Sequence, residues 1–386
     1  MKGSKRRGRR PGTWELRLDA GIDPLTGRRL QRSITFHGTA READLRLAEL
    51  SVEKSQGRIS GGSRTVAEVL EAGLDQAQAE GLERTTLRGY RRVAECQIAP
   101  ALGAKRVSRL TVEEIDRFYR ALAKKGYSHS TIHQTHIVLR RVLDTAVRWG
   151  WISHNPARDA RPPRVARAQP KPVPVEVIPV LVAEAARSNP DLAACIALAA
   201  DTGARRGELC ALRWASVDLD AGKVRFERSI GEDGAAYEKD TKNHQHRLVT
   251  LSPQATEMLR QHRALVVARA LAAGTGLVEE AFVFSGAPDG SVHWWPSNLN
   301  GSFRRLRQRA GLPDWVKLHG LRHTQVTELL DAGVPVRTVS GRVGHLNPST
   351  TTNIYSHWVP ESDERAADVV ASRIWDRQRG ASERPH

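Results

Sequence analysis

The sequence predicts a multidomain chain, mainly α-helical with small β-sheets, and three observations carry that expectation. Period-two alternation is confined to short stretches, at 14–36, 223–229 and 246–251. Helical spacing of apolar residues fills most of the remainder, and two of its starts carry a Thr-x-x-Glu capping pattern. A run dense in proline and arginine, NPARDARPPRVARAQPKPVPVE, interrupts the middle, and 386 residues exceed the roughly 100–200 of a single domain.

Residues 1–62 are expected to form a sheet with a helix. KRRGRR at 5–10 has no apolar stretch behind it and reads as a flexible arm along phosphates or as a solvated tail. In GTWELRLDAGIDPLTGRRLQRSITF, Trp14, Leu16 and Leu18, then Leu30, Ile34 and Phe36, alternate with polar residues across a Gly/Asp/Pro turn. A helix over 39–57 places Ala43, Leu47 and Leu50 on one face, and RISGGSR closes the unit as a linker.

Residues 63–155 read as helices only. Thr65 before Glu68 and Thr111 before Glu114 fix two registers. A helix from Ser128 to about Trp149 carries Ile132, His136, Leu139, Leu143 and Ala146 on one stripe, with Arg140, Arg141 and Arg148 off it. Residues 156–174 then form a basic linker. The segment 175–360 mixes helices with strands at 223–229 and 246–251, separated by hairpin chemistry. Over 361–386, Ala366, Val370, Ile374 and Trp375 share a face and suggest a short helix in a tail.

The 60 Lys+Arg against 43 Asp+Glu give a formal charge of +17, which favours a polyanion, nucleic acid first, as partner. Three scattered cysteines suit neither a disulfide framework nor a thiolate zinc site, so a reducing cytoplasm is the expected compartment. No apolar stretch has the length of a signal or a membrane span.

Chemistry concentrates in three clusters of the mixed segment. In TGARRGEL, Arg205 opens a helix and Glu208 lies one turn on, so a carboxylate backs a guanidinium whose fork fits two phosphate oxygens. Taken alone, the pair reads as a surface salt bridge. In KDTKNHQHR, Lys242 near a hairpin tip is either solvated or a proton donor to a leaving alkoxide, and His244 and His246 lack the further ligands zinc needs. In LHGLRHTQVTELLDAGVPVRTVSGRVGHLNPSTTTNIYSH, His319 and Arg322 share a helical face, Gly333 ends that helix, and a second short helix runs to Gly344-His345. A third short helix bears Tyr355, a packed ring if read alone and a nucleophile only with cationic partners.

Together TGARRGEL, LHGLRHT, GRVGH and a tyrosine ten residues after His345 resemble the boxes of the tyrosine recombinase family, specifically integrases of phages and integrative elements. A lysine five residues before an arginine in a strand-turn-strand unit, Lys242 and Arg247, is similar as well. The resemblance implies an arm-type DNA-binding domain, a helical core-binding domain and a mixed α+β catalytic domain. It implies that Tyr355 attacks the scissile phosphate to give a 3′-phosphotyrosyl link, with Arg205 and Arg322 on the nonbridging oxygens. Lys242 would be the general acid, with Lys239 close enough to take its place. His319 would assist proton transfer, His345 would bond the phosphate, and Glu208 would orient Arg205. No cofactor and no metal are implied. The partners implied are double-stranded DNA carrying attachment sites, a homotetramer assembled on it, an excisionase and a host DNA-bending protein. Gly320 and Gln325 depart from the usual residues at their positions. A resolution-type, Xer-like recombinase is the alternative within this chemistry; the sheet-bearing residues 1–58 favour the integrase over it and over a type IB topoisomerase. A noncatalytic DNA-binding regulator is the alternative outside it.

Overall fold

In the computed structural model, residues 3–8, 10–22, 29–55, 64–165, 171–233, 235–240 and 246–344 are described. They divide into two compact units, one within residues 1–167 and one within 168–386. Helices dominate both, accompanied by small antiparallel sheets.

The first unit opens with β1 (Ser4–Arg7), β2 (Thr13–Ile22) and β3 (Arg29–His37), hydrogen-bonded in that order. The flexible arm expected at 5–10 is therefore corrected: Lys5, Arg6 and Arg7 are strand residues facing Leu16, Glu15 and Trp14. Local partners explain why so basic a stretch is drawn in. Lys5 donates to the Ala40 carbonyl at 3.1 Å and pairs with Asp44, both on α1 (Ala40–Ser55), and the Lys5 and Arg7 cations lie over the Trp14 ring. Leu16, Ala43 and Leu50 form the small core beneath, as the alternation of the sequence anticipates.

Residues 64–165 contain α2 (Val66–Ala79), α3 (Arg84–Val93), a π-helical turn (Ala94–Ile98), α4 (Ala99–Leu102), α5 (Val112–Lys124) and α6 (His129–Arg148). Both capping boxes are formed: Thr65 N–H donates to the Glu68 carboxylate at 2.6 Å and Thr111 N–H to that of Glu114 at 3.2 Å, with each threonine hydroxyl accepting in return. α6 buries Ile132, His136, Leu139, Leu143 and Ala146, and the arginines stand off that face. Each fully buried aliphatic contributes about 1.5–3 kcal/mol. The Pro/Arg-rich run starts inside this core, because Asn155 donates to the Arg140 carbonyl and the Asp144 carboxylate while Ala157 and Ala160 are buried. Its arginines and prolines mask those three positions in a reading by composition.

The second unit begins with α7 (Val177–Ala186), α8 (Pro190–Thr202) and α9 (Arg206–Ala211). The strands β4 (Val217–Asp218), β5 (Lys223–Phe226), β6 (Arg228–Glu232), β7 (Ala236–Asp240) and β8 (Arg247–Thr250) follow. KVRFERS, expected as one strand, is two: β5 joins β4 and β8, whereas β6 pairs with β7. Much of the stretch expected as a turn is therefore strand, with Tyr237 opposite Gly231, where a side chain would meet the tyrosine ring at 2.7 Å. Then come α10 (Pro253–Ala272), α11 (Pro296–Arg309), α12 (Leu318–Asp331) and α13 (Val336–Val343). α8 is apolar on nearly every side and is correspondingly buried through Leu192, Cys195, Ile196, Leu198 and Ala199, which makes it a fixed post for the loop that follows. No described helix is long and apolar enough to cross a membrane.

Candidate active site

α8 ends at Gly203, whose φ of 62° is left-handed, and this lets the chain turn sharply into Arg205. Any side chain at Gly203 would also strike the Gln325 amide oxygen at 2.3 Å. Thr202 fixes the turn, its hydroxyl donating to Leu198 O at 2.6 Å and accepting from Ala204 N–H at 3.3 Å. Arg205 then stands in extended conformation at the start of α9. Its backbone N–H donates to Glu208 Oε2 at 2.8 Å and its Nη1 to Glu208 Oε1 at 2.9 Å, so the carboxylate one turn on holds both ends of the arginine.

α12 brings the second arginine to the same place. Arg322, almost fully buried, donates from Nη1 to the carbonyl of Gly203 at 2.6 Å. Gln325, one turn further, donates to the Asp201 carbonyl, so α12 is sewn along the end of α8. Gly320 fits tightly, since a Cβ there would lie 2.9 Å from Val173 Cγ2, and the neighbouring Thr324 hydroxyl donates to the Val173 carbonyl at 2.6 Å. That packing accounts for glycine at a position where the related pattern carries a larger residue. Val326 of α12 packs with Val339 and Val343 of α13, which carries the chain back across the site.

α13 ends in the left-handed Gly344, with φ 70°. Arg205 Nη2 donates to Gly344 O at 2.7 Å, so each of the two arginines touches a glycine carbonyl at a helix end, Arg322 that of Gly203 and Arg205 that of Gly344. Glu208 is the hub. Only 2% exposed, it also accepts from Arg247 Nη1 at 3.1 Å and Nη2 at 2.6 Å. Burial raises its pKa, but the Arg247 hydrogen bonds and the Arg247 and Arg205 charges outweigh burial, leaving it below the usual carboxylate value.

His319, itself exposed between buried neighbours, lies one turn before Arg322, with its ring edge-on to His323 at 4.8 Å between centroids. Desolvation on its packed side, then His323 and the charges of Arg322, Arg205 and Arg206, push its pKa down to about 4. It is therefore neutral near pH 7 and able to accept a proton, which an imidazolium could not.

Arg205, Glu208, His319 and Arg322 are thus brought together from α9 and α12. Lys242, His345 and Tyr355 lie outside the described residues, as does His244. Lys239 of β7 lies 5.6 Å from the Tyr237 ring centre. Sequence reasoning used Arg247 only as a landmark for the lysine and passed over Arg342, which donates to Thr250 O at 2.9 Å and Asp201 O at 2.8 Å. The only signal for either was a basic residue within an apolar alternation or at a helix end.

This arrangement can hold an anion: two forked guanidiniums, Arg205 backed by the buried Glu208 carboxylate and Arg322 by the Gly203 carbonyl, beside a neutral imidazole. Residues 174–361 match the phage integrase family. An integrase of Streptomyces ambofaciens is 27% identical over 359 residues, spanning 89% of this chain and 88% of its own length. A XerC-like tyrosine recombinase of Caldanaerobacter subterraneus subsp. tengcongensis is 29% identical over 277 residues, 67% of this chain and 70% of its own. Among solved structures, the Tn1549 transposon integrase in complex with a circular intermediate DNA superposes with a TM-score of 0.68 at 19% identity, over 80% of this chain and all of that one. A lambda integrase tetramer bound to a Holliday junction does so with 0.60 at 16% identity, over 90% and 96%. At those identities the two structures share the fold.

Proposed function

We propose that the chain, whose residues 174–361 match the phage integrase family, is a tyrosine recombinase that cuts and rejoins attachment-site DNA through Tyr355. The observation that carries this reading is that Arg205, held by Glu208 and the Gly344 carbonyl, and Arg322, held by the Gly203 carbonyl, stand at the ends of α13 and α8. Two cationic forks held this way suit a phosphate that gains charge as it becomes pentacoordinate. Tyr355 supplies the attacking oxygen, forming a bond to phosphorus while the 5′-oxygen leaves with a proton from Lys242. Neutral His319 takes the phenol proton, and His345, next in the chain after Gly344, bonds a nonbridging oxygen. Resealing reverses these steps with a new 5′-hydroxyl, so the bond energy is conserved in the phosphotyrosyl link.

Integration and excision of a mobile element are favoured over resolution, because similarity to the Streptomyces integrase runs through 89% of the chain and the N-terminal sheet precedes the helical segment. Assembly of four copies on DNA is part of the same proposal, supported by the lambda integrase tetramer that shares the fold. An excisionase and a host DNA-bending protein rest on the family resemblance alone, and a cytoplasmic location on the three scattered cysteines. The test is a nicked duplex from the DNA flanking the gene, whose short cleaved end diffuses away. The native chain should form a denaturant-resistant adduct and Tyr355→Phe none; DNA bound without an adduct would refute the reading.

A further inference from the structure

Arg247 opens β8 and is the most thoroughly engaged cation among the described residues of this site. Its side chain is 6% exposed, its ring partner Phe226 lies 4.6 Å away, and its guanidinium donates to three acceptors. Two are the oxygens of Glu208, at 3.1 and 2.6 Å. The third is the carbonyl of Arg342 in the last turn of α13, reached from Nε at 2.9 Å. Two residues later the Gly344 carbonyl accepts from Arg205. A Cβ at Gly344 would sit 3.1 Å from Arg247 Nη1 and 3.5 Å from Arg205 Nη1, so the end of α13 lies against both guanidiniums.

We infer that Arg247 is a positioning residue for strand cleavage, holding Glu208 behind Arg205 and fixing the end of α13 that leads to His345 and Tyr355. The inference rests on the proposed recombinase function and assigns to it a residue that touches no substrate. The geometry demands this residue type. A lysine could fill the space and keep the charge, but a single ammonium cannot reproduce two parallel bonds to a carboxylate together with a third to a carbonyl at a fixed angle. Without Arg247, the buried Glu208 would keep Arg205 as its charged partner, would bind a proton at higher pH, and would then release its grip on Arg205.

Two quantities separate this role from simple support of the fold: the single-turnover rate of adduct formation on the nicked duplex, and the Kd for the same DNA. For Arg247→Met in the full-length chain, misplacement of Arg205 should lower the rate roughly 100-fold with little change in Kd. The loss should deepen as pH falls and Glu208 protonates. Arg247→Lys should restore a native-like pH profile while remaining about 10-fold slow. A Met variant within about three-fold of the native rate would overturn the inference, as would equal, pH-independent losses in both variants. Should Arg247→Met lose DNA binding through misfolding, the Lys variant decides: slow with native Kd supports the role, native rate refutes it. A native chain that binds the duplex without forming an adduct would instead refute the proposed function.

Discussion

Replacing Glu208 by glutamine tests the buried carboxylate at the centre of the site. The native side chain, 2% exposed, accepts four hydrogen bonds, two from Arg205 and two from Arg247. Glutamine keeps the shape and one acceptor oxygen but turns an NH2 donor toward groups that can only donate. About half of the bonds are lost and two guanidiniums are left without a counter-charge. Breaking a buried ion pair in this way costs about 3–5 kcal/mol. For a unit of this size that lowers the melting temperature by on the order of 10 °C. Calorimetric unfolding of the full-length native and Glu208→Gln chains measures it. The sign with pH is fixed as well. Because the folded pKa of Glu208 lies below its ordinary value of 4.5, its contribution is complete above that value and fades as pH falls through the folded one. The gap between the two proteins should therefore close in acid. A gap under about 1 kcal/mol at neutral pH, or one that widens in acid, would refute the arrangement.

Three further outcomes follow from the geometry. His319 should titrate near 4 by NMR, and its contribution to stability, complete above its ordinary pKa of 6.5, should decline as pH falls from there toward 4; a midpoint at 6.5 would contradict its desolvation, and one above 7 would remove it as a neutral acceptor at pH 7. Gly344→Ala forces a left-handed φ of 70° and a 3.1 Å contact with Arg247, so it should cost about 1–2 kcal/mol and slow adduct formation more than DNA binding. Gly73→Ala, which in an open helix would gain stability, should instead cost about 1–3 kcal/mol in urea unfolding, since its Cβ would lie 2.9 Å from Val142 Cβ.

What was legible in the sequence was local. Thr65 with Glu68, Thr111 with Glu114 and the glycine stop at Gly344 are set by residues within one turn, and each stands where the pattern placed it. The joining of Arg205 to Glu208 was legible for the same reason. The identity of the third partner was not. Arg247 lies 39 residues from Glu208 and 95 from Arg342, and its burial depends on β8 packing beside α13, which no local period encodes. The strand at Lys5–Arg7 was missed because its stabilisation comes from Trp14 and Asp44 rather than from its own composition. The β6–β7 pair was hidden because Gly231 and Tyr237 form a cross-strand fit that reads, residue by residue, as turn chemistry.

The residue to which the DNA becomes attached identifies the nucleophile most directly. After cleavage of the nicked duplex, nuclease trimming and trypsin digestion, mass spectrometry of the peptide 343–365, which holds a single tyrosine, reads the linkage. A nucleotide joined by its 3′-phosphate to Tyr355 is the expected linkage. An adduct on any other residue, or a peptide 343–365 recovered only unmodified from trapped complexes, would contradict it.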